Sequence, residues 1–256
     1  MPGLACYAVL HYVGRDFAGW QRQKSHRTVQ GELERVLERV AGLGVAAHAA
    51  GRTDAGVHAL GQVVSFRMPG EWEPGQLHRA LNALLPADIW VAKVGLAPDG
   101  FHARKDARAR AYRYVVGCDP GSFSPFRRPF EWALGTSLDP RRLREAAAAL
   151  PGEHDFRAFS TVGQEKPHYR CRVAVAEWEA RRGSEGFIFY IEADRFLHRM
   201  VRFLVGIMVD IGRGRRPAAD VAALLLSTDN SEASPPAPPE GLYLMGVRYP
   251  QLERAS

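Results

Sequence analysis

Residues 28–40 read TVQGELERVLERV, and this stretch decides the fold of the first half of the chain. Its apolar residues recur at the spacing of one helical face, which predicts an amphipathic helix. These residues are Val29, Leu33, Val36, Leu37 and Val40. Thr28 is a suitable N-cap, because its hydroxyl can accept a hydrogen bond from a backbone N–H of the first turn.

The segments around this helix alternate between strand and helix patterns. An apolar, strand-forming run precedes it at residues 4–12, and two strands are predicted after it, at 45–50 and 61–68. A second helical stripe ends before Pro86, which cannot continue a helix, and residues 89–96 form a last strand. Strand, helix, strand, strand, helix, strand is the order of a ferredoxin-like unit.

The second half roughly repeats this order of elements. It contains an alternating strand with Tyr112 and Tyr114 on one face, and a helix capped by Asp139 with Pro140 at its first position. Further elements are a loop at 151–170, strands at 171–180 and 187–193, a helix through 197–208, a helix at 220–227, a linker at 231–239 and a strand at 242–249. We therefore expect an α+β protein with two halves, residues 1–101 and 102–256.

The composition is that of a globular protein with a basic balance. Of 256 residues 46% are hydrophobic and 24% charged, and 34 basic against 28 acidic residues give a net charge of +6. This charge favours a polyanionic partner. The three cysteines are widely spaced, which argues against a zinc site or a disulfide framework and indicates reduced thiols in the cytoplasm. No signal peptide or membrane span is expected from the sequence.

Residues 51–58 read GRTDAGVH and form the clearest candidate for a functional loop. Asp54 lies between two glycines and two residues after Arg52, whose charge favours the ionised carboxylate. Glycine allows a tight turn or a close approach to a ligand. By itself the pattern also fits an ordinary turn with a surface ion pair. We interpret His58 as a structural histidine rather than a catalytic base.

Basic residues cluster in four places, of which one contains a stackable aromatic ring. Residues 104–113 hold five basic residues, with Arg104 and Arg110 among them, beside Tyr112, and RNA contact is favoured there. His198 and Arg202 are four residues apart and are predicted to share a helix face, with Arg199 beside it. Arginines also cluster at 213–216 and at 141–144, and the second of these groups reads as a solvated helix face.

Several enzyme classes lose support because their motifs are missing from the sequence. The chain has no P-loop, no glycine-rich dinucleotide fingerprint after a strand, and no Gly-x-Ser-x-Gly nucleophile elbow. It also lacks the His-Glu-x-x-His and deaminase patterns of zinc enzymes.

Several motifs together resemble the tRNA pseudouridine synthase A family, and they cover nearly the full length in family order. The motifs are residues 51–58, 19–23, 82–89, 101–104, 110–114, 196–202 and 240–244. Two local departures are Lys105-Asp106, where an aromatic-Ser pair is expected, and Arg199, where a second histidine is common.

The resemblance implies a fold and a reaction. The expected fold has two ferredoxin-like halves whose antiparallel sheets meet at a central catalytic cleft. The implied enzyme is a cytoplasmic homodimer that isomerises uridine to pseudouridine at positions 38, 39 and 40 in the anticodon stem-loop of tRNA. Because this isomerisation gains no atoms or electrons, no cofactor and no metal are expected.

The resemblance also assigns roles to particular residues. Asp54 is the catalytic carboxylate, which attacks the base, attacks C1′ or removes a ribose proton; the sequence leaves these three routes open. Arg202 pairs with Asp54, and Arg52 helps to open the site or to hold the flipped nucleotide. Tyr112 stacks on the uracil and stands close to the C5 proton, while Leu242 packs on the other face of the base. Arg104, Arg110 and His198 are expected to contact the substrate.

Two other classes remain open from the residues alone. A non-catalytic RNA-binding protein explains the charge and the aromatic residues but leaves Asp54 without a role. A carboxylate glycosidase or nucleoside hydrolase requires a second paired carboxylate, and no acidic partner stands near Asp54 in the sequence.

Overall fold

The computed structural model describes residues 3–161, 168–227 and 229–253 and shows an α+β protein. The first elements are β1 (Leu4–Tyr12), α1 (Val29–Ala41), β2 (His48–Ala49), β3 (His58–Met68), α2 (Pro74–Leu84) and β4 (Ile89–Leu96). The later elements are β5 (Ala109–Gly117), β6 (Trp132–Ala133), α3 (Pro140–Ala147), β7 (Gly152–Asp155), β8 (Arg170–Ala180), β9 (Gly186–Ala193), α4 (Met200–Gly212), α5 (Asp220–Leu225), β10 (Leu242–Arg248) and α6 (Pro250–Glu253).

The chain divides into two compact units. The first comprises Met1–Arg108 and Leu244–Ser256, and the second comprises Ala109–Tyr243. The division thus falls seven residues after the boundary placed at 101 from the sequence, and the C-terminal segment groups with the first unit. Strand β10 supplies its first two residues to the second unit and the remainder to the first.

The first unit is a ferredoxin-like arrangement. Strand β1 pairs antiparallel with both β3 and β4, and β2 pairs antiparallel with β3. The third strand therefore lies between the first and second strands, as expected when a helix connects strands that are not neighbours. The two helices bury their apolar stripes completely at Leu33, Leu37, Leu77 and Leu81.

The ends of the first helix follow from its sequence. The Thr28 hydroxyl accepts a hydrogen bond from the Gly31 N–H at 3.2 Å, which confirms the predicted N-cap. Gly42 ends the helix with a φ of +73°, a backbone conformation that glycine adopts without strain. The strand predicted at 45–50 is shorter than expected, since only His48–Ala49 pairs with β3.

The second unit repeats the order of elements of the first. Strand β9 lies antiparallel between β5 and β8, so the third of these strands again lies between the first and the second. Strand β7 extends the sheet beside β8, and β6 pairs parallel with the end of β5. Asp139 caps α3 by accepting from the N–H groups of Arg141 and Arg142, as predicted. The order β5, α3, β8, β9, α4 and β10 along the chain matches the expected repeat of elements, although most of β10 belongs to the first unit.

Two segments that read as irregular from the sequence contain buried residues in their described parts. The prediction of a loop at 151–170 was wrong over its first part, because this part contains β7 and a helical turn at Arg157–Phe159. Residues 162–167 lie outside the described part. Phe156 and Phe159 are fully buried there, and this burial outweighs the polar character of the segment. In the linker at 231–239, Ser234 and Ala237 are buried. None of the helices in the described residues is long and apolar enough to cross a membrane.

Candidate active site

The Asp54 loop, residues 50–57, connects β2 to β3 in the first unit. Thr53 and Val57 are buried, Asp54 is half-buried and Arg52 is exposed. Asp54 is thus a half-buried residue on a loop in which Thr53 and Val57 are buried.

Thr53 is anchored at both its side chain and its carbonyl group. Its Oγ1 lies 2.8 Å from Tyr12 Oη, and its carbonyl oxygen accepts a hydrogen bond from the Trp20 N–H at 3.0 Å. Gln62 Nε2 donates to the Gly51 carbonyl oxygen at 2.8 Å and to Tyr12 Oη at 3.4 Å. The residue before Asp54 is therefore held by two different parts of the unit.

Two glycines allow the 14–20 segment to lie against this loop. A Cβ atom on Gly19 would stand 2.8 Å from the Thr53 carbonyl oxygen, and Gly19 has a φ of +92°. A Cβ on Gly14 would stand 2.0 Å from the Val57 carbonyl oxygen. Any larger residue at either position would push the loop away, which gives a physical reason for glycine in the motif at residues 19–23.

His58 is a structural residue in this arrangement. It is buried at the start of β3, and its Nδ1 accepts a hydrogen bond from the Gly14 N–H at 3.1 Å. The geometry agrees with the interpretation from the sequence.

Arg104 lies on a tightly held turn of the same unit. The Ala103 N–H donates to Ser65 Oγ at 3.0 Å, and the Ala103 carbonyl oxygen accepts from Tyr249 Oη at 2.5 Å. Asp106 closes the turn by accepting from the His102 N–H at 2.7 Å. The aspartate at this departure from the family pattern thus has a local structural role, and the exposed Arg104 is presented on a fixed backbone.

Tyr112 lies on β5 in the second unit and is half-buried. Its ring meets the ring of Phe196 edge-on, with the centroids 5.0 Å apart and an angle of 83° between the planes. An edge-to-face pair fixes the plane of the tyrosine ring at little entropic cost. The contact with Phe196 therefore orients the ring of Tyr112 on this strand.

Arg202 and Leu242 are joined in the second unit by the segment 237–241. Arg202 Nε donates to the Ala237 carbonyl oxygen at 2.7 Å, and the Ala237 N–H donates to the Arg202 carbonyl oxygen at 2.9 Å. These reciprocal bonds attach the segment to the first turn of α4. Leu242, which follows the segment, is buried at the start of β10.

Tyr114 holds the other side of this segment. Its Oη donates to the Pro238 carbonyl oxygen at 2.7 Å, and a Cβ on Gly241 would stand 2.7 Å from its ring. Burial, and then the nearby Glu240, raise the pKa of Tyr114 well above its ordinary value, while Arg202 opposes the rise. The hydroxyl therefore remains a donor at neutral pH.

The prediction that His198 and Arg202 share a helix face was wrong. Helix α4 begins at Met200, and Arg199 before it has a φ of +61° in the left-handed region. His198 is exposed and precedes the helix, and its carbonyl oxygen accepts from the Thr161 N–H at 3.3 Å. The left-handed residue breaks the helical periodicity, so spacing along the sequence does not give spacing on the helix here.

The predicted site residues are distributed over both units. Arg52, Asp54 and Arg104 belong to the first unit. Tyr112, Arg110, His198, Arg202 and Leu242 belong to the second. Arg110 is fixed there by donating from Nη1 to the Asp194 carbonyl oxygen at 2.7 Å. The pairing of Arg202 with Asp54 joins residues of different units and stays a prediction.

The supporting residues of the Asp54 loop were not singled out from the sequence. Tyr12 and Gln62 have the ordinary pattern of strand residues, and their partners lie 41 and 11 residues away in the chain. The glycines at 14 and 19 were the available signal, because glycine next to an apolar strand often marks a close backbone approach.

Comparison with known proteins identifies the family. A family model described as tRNA pseudouridine synthase matches residues 8–104 and 146–250. The chain is 41% identical to a tRNA pseudouridine synthase A of Solidesulfovibrio magneticus, over 94% of this chain and 89% of the relative. Similar proteins of the same name occur in Dictyoglomus turgidum (39%) and Chlorobium limicola (41%), each over 94% of this chain and 97% of the relative. The chain therefore belongs to the tRNA pseudouridine synthase family, an isomerase family that acts on uridine in tRNA.

Proposed function

We propose that this chain isomerises uridine to pseudouridine at positions 38, 39 and 40 in the anticodon stem-loop of tRNAs. The observation that carries the proposal is Asp54, a half-buried carboxylate on a loop anchored through Thr53, Gly51 and Gly19. A loop fixed in this way around one carboxylate is suited to chemistry, because pre-organised geometry removes the entropic cost of positioning in the reaction.

The reaction conserves atoms and electrons. The N1–C1′ bond of uridine breaks, the uracil turns, and C5 bonds to C1′; C5 then loses a proton and N1 carries one. Asp54 is the proposed catalytic group, whether it adds to the base, attacks C1′ or removes a ribose proton. Each of the three routes requires an ionised carboxylate, for which Arg202 is the proposed partner and Arg52 the exposed cation beside it.

The second unit supplies the proposed contacts to the base. Tyr112 stacks on one face of the uracil, since its ring plane is fixed by Phe196. Leu242 packs on the other face, at the end of a segment held by Arg202 and Tyr114. Both residues offset the cost of a few kcal/mol for taking a base out of its stack.

The basic residues are proposed to bind the tRNA backbone. Local hydrogen bonds fix the backbone of Arg104 and the guanidinium group of Arg110. His198 is exposed on the turn before α4. The net charge of +6 supports this binding. As the resemblance implies, we also propose that the enzyme works as a homodimer in the cytoplasm, away from the membrane.

Incubation of the purified protein with unmodified tRNA tests the proposed reaction directly. Pseudouridine at positions 38–40, located by chemical modification and sequencing, is the expected result. Unchanged tRNA would indicate an RNA-binding protein, and free uracil would indicate a hydrolase. Pseudouridine at other positions only would reject the anticodon stem-loop as the substrate site.

A further inference from the structure

A chain of neutral polar groups lies buried behind the Asp54 loop. Tyr12 on β1, Gln62 on β3 and Thr53 are 4%, 0% and 6% exposed. Gln62 Nε2 donates to Tyr12 Oη, which leaves the proton of this hydroxyl for Thr53 Oγ1 at 2.8 Å. Gln62 Nε2 also donates to the Gly51 carbonyl oxygen, so the chain of bonds begins and ends in the same loop.

This buried polar network contributes less to stability than apolar side chains would in the same place. Buried polar groups lose hydration, and apolar side chains of the same shape would fill the space without that loss. The network is also incomplete, because within the described residues Gln62 Oε1 is buried without a hydrogen-bond partner. Buried groups that leave a partner unsatisfied call for a reason other than packing.

The bonds restrict the backbone on both sides of Asp54. Thr53 is held through its side chain by Tyr12 and through its carbonyl oxygen by the Trp20 N–H. On the other side, the Asp54 carbonyl oxygen accepts from the Val57 N–H at 3.2 Å. With both neighbouring peptide units fixed, the direction of the Asp54 Cα–Cβ bond is fixed as well.

We propose that Tyr12, Thr53 and Gln62 are positioning residues that aim the Asp54 carboxylate at its target atom. The proposal rests on the proposed function, since it gives Asp54 the catalytic role. None of the three residues is assigned a contact with substrate; they act through the backbone of the loop. Burial raises the pKa of Tyr12 to about 12, although its bonds to Thr53 and Gln62 oppose the rise, so its hydroxyl keeps its proton throughout the working pH range.

The first variant to make is Tyr12→Phe, which removes one hydroxyl and preserves the ring. Amide hydrogen exchange within residues 51–57 is expected to accelerate at least about tenfold, because the loop then opens more easily. The kcat for pseudouridine formation is expected to fall about 10- to 100-fold, while KM for tRNA changes little, since misplacing a reacting group by about 1 Å has an effect of this order.

Tyr7→Phe is the matched control on the same strand. Tyr7 is also a buried tyrosine of β1, but it lies five residues earlier, roughly 17 Å along an extended strand. Its ring meets the ring of Phe101, and Tyr7 packs in the core cluster that includes Ala50 at the start of the loop, outside the hydrogen-bond network of Tyr12, Thr53 and Gln62. This variant is expected to retain both the wild-type exchange of residues 51–57 and the wild-type kcat.

Thr53 provides a second test that does not depend on Tyr12 packing. Thr53→Val keeps the branched shape without the hydroxyl and is expected to reproduce the loss of kcat, whereas Thr53→Ser restores most of it. The double variant Tyr12→Phe/Thr53→Val is expected to be no slower than the worse single variant, because both changes remove the same bond.

The outcomes separate this proposal from the proposed function. Unchanged exchange of the loop in both Tyr12→Phe and Thr53→Val overturns the positioning role, and so does faster exchange with an unchanged kcat. A fall of kcat with no recovery in Thr53→Ser also overturns it. If the wild-type protein makes no pseudouridine, the proposed function fails, and the exchange measurement still reports whether the network holds the loop.

Discussion

The two units share one order of elements but use the connection between their second and third strands differently. In the first unit this connection is residues 50–57, which carry Asp54 and are held by Tyr12, Gln62 and Gly19. In the second unit it is residues 181–185, a hairpin turn closed by the Arg181 N–H and the Gly186 carbonyl oxygen at 3.0 Å. Equivalent positions in the topology thus hold the loop of the proposed catalytic residue in one unit and a hairpin turn in the other.

The buried polar groups of the two connections differ in the same way. Glu131 is 3% exposed and accepts hydrogen bonds from Arg181 at 2.5 Å and from Arg127 at 2.9 Å. Arg127 also makes two bonds to Asp119. At the second connection, the buried carboxylate of Glu131 is thus paired with arginines. At the first connection, the buried groups that hold the backbone next to Asp54 are neutral hydroxyl and amide groups. The carboxylate of Glu131 is thus used to join two arginines of the second unit, and the proposed chemistry lies at the first connection.

Asp54→Asn is the strongest test of this difference. The amide has nearly the same shape but has no charge and little nucleophilic or basic character, so pseudouridine formation is expected to fall at least about 10³-fold. Single-turnover assays with tRNA measure the rate, and a gel-shift titration checks that binding is retained.

The matched control for Asp54→Asn is Glu185→Gln, the same chemical change on the corresponding connection of the second unit. It is expected to keep the wild-type rate. Substantial product from Asp54→Asn, or a comparable loss in Glu185→Gln, would remove the functional distinction between the two connections.

Glu131→Ala tests the structural side of the comparison. Removing the carboxylate leaves Arg127 and Arg181 without a shared partner, and breaking a buried pair of this kind costs about 3 kcal/mol, at the lower end because both arginines are partly exposed. Urea unfolding measures the loss. The rate of the folded fraction is expected to stay near wild type, so a selective loss of kcat at full stability would contradict a purely structural role.

Two substitutions of Tyr112 in the second unit distinguish a role in base stacking from a role in proton transfer. Tyr112→Phe retains the ring and the contact with Phe196 and is expected to lose part of the rate, about tenfold or less, if the hydroxyl assists transfer of the C5 proton. Tyr112→Ala is expected to lose more, because a stacked base is worth about 1–3 kcal/mol. Equal rates for the wild type and Tyr112→Ala in steady-state assays would exclude the stacking role.

Local signals in the sequence were sufficient for most elements of the fold. The helix at Val29–Ala41 has its cap and its apolar stripe within one short segment, and both were predicted correctly. The Asp54 loop was identified because its motif is continuous. In these cases the residues that determine the structure are neighbours in the chain, so pattern and structure coincide.

Long-range contacts account for what the sequence did not reveal. Tyr12 and Gln62 support the Asp54 loop from two different strands, and Tyr249 holds the Arg104 turn from 146 residues away. The segment at 152–159 is ordered by burial of two phenylalanines although its polar residues suggest a loop. A hydrogen bond between residues far apart in the chain produces no periodic pattern in the sequence, and spacing rules therefore do not predict it.

Arg199→Gly is expected to give the smallest effect, a change in the free energy of unfolding. It tests a difference between the starts of helices α1 and α4. Helix α1 begins at the capped Thr28, whereas α4 begins after Arg199, which has a φ of +61° and makes no side-chain cap bond. A left-handed conformation costs a non-glycine residue about 1–2 kcal/mol, and a positive charge at a helix N-terminus is unfavourable. Because glycine increases the chain entropy lost on folding by about 0.5–1 kcal/mol, the expected net gain in unfolding free energy is about 1 kcal/mol.

Thermal unfolding of Arg199→Gly beside Thr28→Ala checks this comparison. Thr28→Ala loses the bond to the Gly31 N–H and is expected to be less stable by about 1 kcal/mol, so the two variants move in opposite directions. If Arg199 also binds a tRNA phosphate, the slope of the logarithm of the tRNA binding constant against the logarithm of the salt concentration becomes shallower by about 1 in Arg199→Gly. The slope is unchanged in Thr28→Ala. A gain in stability together with a weaker salt dependence is the signature of a residue kept in a strained conformation for its contact with the substrate, whereas a loss of stability would show that the conformation of Arg199 is not strained.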